Sequence, residues 1–358
     1  MRLLHSSQPV SATDTTTVSL RRLYLRQLFL HPYARESKDA ETHLWMQTSY
    51  SIIAIYKQRI AALDRAIYNP PRQGAQQQSS RDRTVEYRKL LQRFRQYLAE
   101  EEKFWMQLVL RFRRYFALDD AQPALTALGI MPEDDPTPAV DGPGTPRRNQ
   151  HQFPPETDLG DGEAPMPTAM SQRESRMAIL SKALVCLGDI ARYKEQYNEA
   201  GGRPRAGHED GPPAASAGKG GRGRRGGAAG ATHVPLPRLR NYDRAQSCYE
   251  QARLMLPHDG NPSHQLAILS SYQKDTLNSI LHYYRALCVR SPYETASENL
   301  GTVLHKALEI YKTKGLLREA ELQQELTIDA SIPPRLRVES FKEKVVVLHA
   351  QWCMNVDE

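Results

Sequence analysis

NYDRAQSCYEQARLMLPHDGNPSHQLAILSSYQKDTLNSILHYYRAL, residues 241–287, decides the fold. Within it Ala245, Tyr249, Ala252 and Leu254 are followed 34 positions later by Ser279, Tyr283, Ala286 and Cys288. A proline closes each unit, Pro257 in the first and, one step out of register, Pro292 in the second. Small residues three and four positions from an aromatic admit a neighbouring helix closely and let the ring fill the groove. The matching first helices carry Leu187-Gly188 and Leu266-Ala267. The repeat predicts stacked helical hairpins, an all-α architecture whose default role is binding rather than catalysis.

Small-xxx-aromatic-xx-small followed by a terminating proline resembles the second helix of a tetratricopeptide-type hairpin. Working outward, spacings of three and four predict further helices. The first long one spans 41–68, with a stripe of Trp45, Ile52, Ile53, Tyr56, Ile60, Leu63 and Ile67, and ends before Asn69-Pro70-Pro71. A polar segment, 72–82, leads to a second at 84–118, where Leu90, Phe94, Tyr97, Leu98, Phe104, Trp105, Leu108, Leu110 and Phe112 cover much of the girth and demand neighbours on several sides. A short turn of helix follows at 121–130. Others are expected at 171–198, 241–256, 262–272, 275–290 and 293–314, with two more at 316–325 and 334–352. Residues 1–40 read as a variable extension with one short helix near 20–29.

Two linkers interrupt this pattern. Residues 131–168 are Pro-rich, with eight acids against Arg147 and Arg148; residues 201–240 are Gly/Arg-rich around GKGGRGRRGG. Neither holds enough apolar surface to offset the entropy of ordering, so both are expected to be disordered. The second lies between Leu187-Gly188 and Ala245, inside one hairpin. Its arginines suit non-specific contact with RNA, but it has no aromatic residue to stack on bases, which leaves a solvated linker as the competing reading.

In its 358 residues the chain has a formal charge of +7, which suits an acidic partner without choosing between nucleic acid and a phosphoprotein. Cys186, Cys248, Cys288 and Cys353 lie far apart without metal spacing. The three within helical repeats read as small buried thiols in a reducing cytoplasm or nucleus. His258 and His264 flank DGNPS with Pro262 between them, which favours turn and surface roles over metal ligation. The sequence calls for no metal and no cofactor. The opening MRLLHSSQPV has too short an apolar run to be expected to act as a signal peptide, and no uncharged apolar run reaches membrane-spanning length, so no membrane role is expected.

The residues suited to chemistry are cations. Lys57 sits one step off the first stripe, and Arg192 and Tyr193 flank the helix LVCLGDIARY, 184–193. A lysine and an arginine from two packed helices, with a tyrosine hydroxyl beside them, suit a phosphate: one gives a point charge, the other a planar fork. Gly188, one turn before Arg192, leaves room for a close neighbour or a ligand. The alternative is an ordinary helix pair between Arg192 and Asp189, three residues before it.

Five strings resemble the adaptor family shared by nonsense-mediated mRNA decay and the telomerase-associated "ever shorter telomeres" proteins. They are HLWMQTSYSIIAIYKQRI (43–60), FWMQLVLRF (104–112), CLGDIARYKEQ (186–196), the string 241–287 and SPYETASENL (291–300). The likeness covers roughly 41–350 outside the linkers. It implies a 14-3-3-like phosphopeptide-binding domain continuous with tetratricopeptide-like hairpins over 41–315. It also implies a phosphate site at Lys57, Arg192 and Tyr193, with Arg59 and Arg65 as looser matches.

The implied role is a non-enzymatic adaptor in nonsense-mediated decay that binds a phosphorylated RNA helicase and, as a further partner, a paralogous adaptor. Alternatives are a telomerase-associated protein binding telomerase RNA or telomeric single-stranded DNA, and a structural scaffold without phosphate binding. SFKEKVVVLHAQW (340–352) is similar to the point where family members continue into a downstream helical domain, so 316–358 is expected to be its start, cut short. A nuclease of the kind some members carry needs clustered carboxylates for metal, and the dense acids here fall in the first linker.

Overall fold

A computed structural model describes residues 15–31, 34–68, 77–131, 170–198, 240–315 and 334–354. The 131–168 linker beyond Met131, the 201–240 insertion up to Arg240 and the helix expected at 316–325 lie outside them. The fold is all-α; among the described residues the only β pairing is an isolated bridge between Asp259 and Ser291. The described chain forms two compact units, divided between Met255 and Leu256.

The first unit holds α1 (Thr15–Leu30), α2 (Ala40–Leu44), α3 (Ser51–Tyr68), α4 (Gln77–Tyr115), α5 (Gln122–Ala127), α6 (Met170–Gln196) and α7 (Asp243–Met255). A π-helical turn, Trp45–Tyr50, joins α2 to α3. The helix expected in the amino-terminal segment is longer than the sequence suggested and belongs to the core, with Leu25, Leu28 and Phe29 buried. Its Arg21 is buried too, and its Nη2 donates to Glu101 Oε1 and Oε2 on α4 at 2.6 and 2.7 Å. Ser49, in the π-turn, donates to Glu101 Oε2 at 2.6 Å and accepts from Trp105 Nε1 at 3.1 Å. Three separate elements are thus tied at one buried carboxylate.

The long helix α4 starts at Gln77, seven residues before the expected start. Its polar first turns carry no apolar periodicity to announce it. Along its inner face Phe94 stacks on Tyr56 of α3, with centroids 5.0 Å apart, and meets Tyr197 edge-on just past α6, also at 5.0 Å. Arg95 Nε and Nη2 both donate to the Tyr197 carbonyl at 2.9 and 2.8 Å. This satisfies an orphan carbonyl that a helix end would otherwise leave open. Helix α4 therefore fixes α3 and α6 relative to each other.

Helices α6 and α7 run antiparallel. Ser181 Oγ donates to the Ala252 carbonyl at 3.1 Å near one end, and the Asn241 amide donates to Glu195 Oε1 at 2.9 Å near the other.

The second unit holds α8 (Gly260–Tyr272), α9 (Thr276–Leu287), α10 (Thr295–Ile310) and α11 (Pro334–Met354). Helix α8 starts two residues before the expected Pro262, capped by Asp259, whose side chain accepts from the Asn261 amide. Ser279 Oγ on α9 donates to the Ala267 carbonyl on α8 at 2.9 Å. Val346, Val347 and Ala350 of α11 join a core with Ile280, Tyr283, Val303, Leu304 and Leu308.

The 34-residue register is visible as burial. Ala245, Tyr249 and Ala252 are buried, and so are Ser279, Tyr283 and Ala286. The fourth pair, Leu254 and Cys288, is exposed in both units, so it marks the outer face of the repeat. Cys288 is thereby corrected from the expected buried thiol; it caps the end of α9, where the helix turns to solvent. Cys186 and Cys248 are buried as expected. His264, expected at the surface, is buried on α8, with ring centroids 5.7 Å from Tyr283 and 4.4 Å from Tyr293.

Candidate phosphate-binding site

Helix α6 is buried at every residue from Ala183 to Tyr193. A helix enclosed on all sides must satisfy its own charges. Asp189 and Arg192 do this first with each other: Arg192 Nη2 donates to Asp189 Oδ1 at 3.0 Å. The same oxygen accepts from the Tyr249 hydroxyl of α7 at 2.7 Å. Burial, and then the Asp189 charge, push the Tyr249 phenol well above its ordinary range, so it stays a donor. The expected Asp189–Arg192 helix pair therefore exists, but it is buried and three-membered rather than superficial.

The remaining partners converge on Tyr193. The Arg192 guanidinium carbon lies 4.9 Å from the Tyr193 ring centroid, and Lys57 Nζ, from α3, lies 5.2 Å from the same centroid. Both distances fall within cation–π range. The structure thus brings Lys57, Arg192 and Tyr193 together from two helices, with the ring of Tyr193 as the shared surface. Lys57 is 7 % and Arg192 5 % exposed, so the cluster is nearly closed to solvent.

Arg59 and Arg65 stand differently. Arg65 is exposed, and its Nε donates to the Ala61 carbonyl of its own helix at 3.3 Å. Arg59 is half-buried on the Tyr56 side of α3. Burial pushes the Tyr56 phenol up, while the charges of Arg93 and Arg59 pull it down. Arg93, which sequence reasoning missed, brings a further cation from α4 to that side.

Gly188 does leave room for a close neighbour, and the neighbour is Tyr249. A Cβ on Gly188 would fall 2.7 Å from Tyr249 Cδ1. Sequence reasoning chose Tyr249 as the repeat aromatic but missed its hydrogen bond into the cation cluster. The signal was available: Asp189 directly follows Gly188, whereas Ile268 follows the corresponding Ala267. No group of His, Cys, Asp and Glu able to hold a metal occurs among the described residues. No helix among them is long and apolar enough to cross a membrane.

Packed helices with a cationic cluster enclosed in the first unit define an all-α protein. The chain belongs to the Est1 family: residues 39–198 match the family described as telomerase activating protein Est1, and residues 245–354 match the Est1 DNA/RNA binding domain. It is similar to the nonsense-mediated mRNA decay factor SMG7 of Arabidopsis thaliana, at 24 % identity over 277 residues, covering 77 % of this chain and 20 % of that protein. Over 75 residues it is 43 % identical to SMG7 of Danio rerio, covering 21 % of this chain and 6 % of the relative. It is also 28 % identical over 126 residues to the telomerase-binding protein EST1A of Danio rerio, covering 35 % of this chain and 6 % of that protein. The chain thus spans about a fifth of the length of the Arabidopsis relative.

Proposed function

We propose that this chain is a non-catalytic adaptor of nonsense-mediated mRNA decay that binds a phosphoserine- or phosphothreonine-containing partner at Lys57, Arg192 and Tyr193. The observation that carries this reading is the convergence of Lys57 and Arg192, from two separate helices, on the single Tyr193 ring. A phosphomonoester near neutral pH offers close to two negative charges and three strong acceptors. Lys57 supplies a point charge. Arg192 supplies a fork whose Asp189 bond uses Nη2. The similarity to SMG7 of two organisms favours the decay branch. The partner on this reading is a phosphorylated RNA helicase, with a paralogous adaptor as a further partner, and the adaptor acts in the cytoplasm or nucleus.

Titration calorimetry with a phosphoserine peptide from a decay-pathway RNA helicase, beside its unphosphorylated twin, tests this. Wild type should bind only the phosphorylated form. Lys57→Glu and Arg192→Glu should each weaken binding at least about tenfold, since a charge-assisted hydrogen bond contributes roughly 1.5–3 kcal/mol. Lys57→Gln, which removes the charge without adding a new one, guards against a folding defect and should also weaken binding. Equal affinity in wild type and variants of unchanged helicity would instead make the cluster structural.

A second reading is the telomerase-associated branch, favoured by the match of 245–354 to a DNA/RNA binding domain and by the similarity to EST1A. Binding of telomerase RNA or telomeric single-stranded DNA that survives Lys57→Glu would support it.

A further inference from the structure

Two donors from different helices meet at one carboxylate oxygen beside the cation cluster. Arg192 Nη2, on α6, and the Tyr249 hydroxyl, on α7, both donate to Asp189 Oδ1, at 3.0 and 2.7 Å. Asp189, Arg192 and Tyr249 are all buried. Hydrogen bonds donated to a carboxylate stabilise its charge where it stands. The Tyr249 bond therefore lessens what Asp189 gains from Arg192, because both draw on the same oxygen.

The hairpin itself does not call for these charges. The register that pairs Gly188 with Ala267 and Tyr249 with Tyr283 sets Ile268 at the place of Asp189 and Ser271 at that of Arg192. Tyr283 is buried all the same, in one core with Ala267 and Ile280. Packing of the repeat aromatic thus leaves the acid and the base on α6 unexplained. Their effect on an anion explains them better. A phosphate that reaches Arg192 competes with Asp189 for the guanidinium, and it meets the Asp189 charge inside a buried site, where salt screens little.

We propose that Asp189 is a resident carboxylate that competes with the partner's phosphate for Arg192, and that Tyr249, by sharing Asp189 Oδ1, moderates this competition and so sets the affinity of the site. The inference rests on the phosphate-binding reading above and adds two positioning residues to it. Tyr249 acts through Asp189, and Asp189 through Arg192. Helix α7, which follows the Gly/Arg insertion in sequence, thereby tunes a site built on α3 and α6.

Titration calorimetry on the full chain tests this, with a phosphoserine peptide from a decay-pathway RNA helicase and its unphosphorylated twin. Asp189→Asn keeps the shape and an acceptor oxygen but removes the charge. Tyr249→Phe keeps the ring that lies against Gly188. Asp189→Asn should bind the phosphopeptide at least about tenfold more tightly than wild type. Tyr249→Phe should bind it at least about threefold more weakly. In the double variant the Tyr249→Phe effect should shrink below about twofold, since no charge remains for the hydroxyl to share. Damage to the fold would weaken binding in both single variants and cannot produce opposite signs. Asp189→Asn should also melt earlier than wild type alone and gain more from the phosphopeptide, which supplies the counter-charge.

Weaker or unchanged phosphopeptide binding by a folded Asp189→Asn overturns the proposal and makes the pair structural, while the site at Lys57 and Arg192 stands. If Asp189→Asn does not fold, Tyr249→Phe decides, and affinity equal to or above wild type overturns it. Wild type that binds both peptides alike, with Lys57→Glu no different, overturns the phosphate site and this inference together.

Discussion

The Tyr249 ring occupies the space that a side chain on Gly188 would need, with a built Cβ 2.7 Å from Tyr249 Cδ1. The ring cannot swing aside freely, because it is fully buried and its hydroxyl is held by Asp189 at 2.7 Å. Gly188→Ala should therefore destabilise the first unit. Overpacking costs about 1–3 kcal/mol, against about 1 kcal/mol gained from helix propensity. Urea unfolding should show a net loss in wild type and a gain in the Tyr249→Leu background. If Gly188→Ala stabilises both backgrounds equally, the two residues are not coupled.

Arg21 and Glu101 form a buried pair, 3 % and 0 % exposed at their side chains. Removing one charge strands the other, at a cost of about 3–5 kcal/mol. Arg21→Met should thus lower stability sharply, and Arg21→Met with Glu101→Leu should restore most of it. A double variant no more stable than the single one would mean that the hydrogen bonds from Ser49 to Glu101 and from Arg21 to Thr48, not the charges, carry the effect.

The four cysteines should separate into two classes under a thiol reagent such as dithionitrobenzoate. Burial pushes the Cys186 thiol well up, and pushes that of Cys248 up to about 11. Near pH 8 only about one Cys248 in a thousand would be thiolate, the reactive form. Cys288 and Cys353 are exposed. Native protein should release two equivalents quickly, and denatured protein four. Because the folded Cys248 pKa is raised, its contribution to stability is complete below the unfolded value near 9 and is lost as pH rises towards 11. A midpoint of urea unfolding that stays constant between pH 8 and 11 would contradict this.

The ends of the Gly/Arg insertion are brought together by the Asn241–Glu195 hydrogen bond at 2.9 Å. Loop closure depends only logarithmically on length, so replacing residues 199–239 with a short Gly/Ser linker should leave the helical circular dichroism intact and melting little changed or raised. Collapse of the helical signal would show that the insertion is structural. RNA binding retained after the replacement would make the arginine tract a linker only.

What the sequence made legible is what burial makes periodic. Ala245-Tyr249-Ala252 and its counterpart Ser279-Tyr283-Ala286 announce helices because each triplet is pressed against a neighbour. The convergence of Lys57 with Arg192 was readable only through residue types and resemblance, since no spacing links α3 to α6. Features that depend on a distant partner stayed hidden. Arg21 and Glu101 stand 80 residues apart, and no local pattern marks them as partners. His264 reads as polar, yet Tyr283 and Tyr293 enclose it. Leu254 and Cys288 keep the register while facing solvent, because a repeat in sequence extends beyond the face that packing selects.

The π-helical turn at Trp45–Tyr50 sets an angular phase. A wide turn accommodates one residue more than an α-helical path would, and each residue turns the chain by about 100°. The azimuth at which Lys57 leaves α3 is therefore decided eight and nine residues upstream of it, where Arg21, Glu101 and Trp105 clamp Thr48 and Ser49. The buried carboxylate of Glu101 thus works as the index mark against which the cation cluster is aligned.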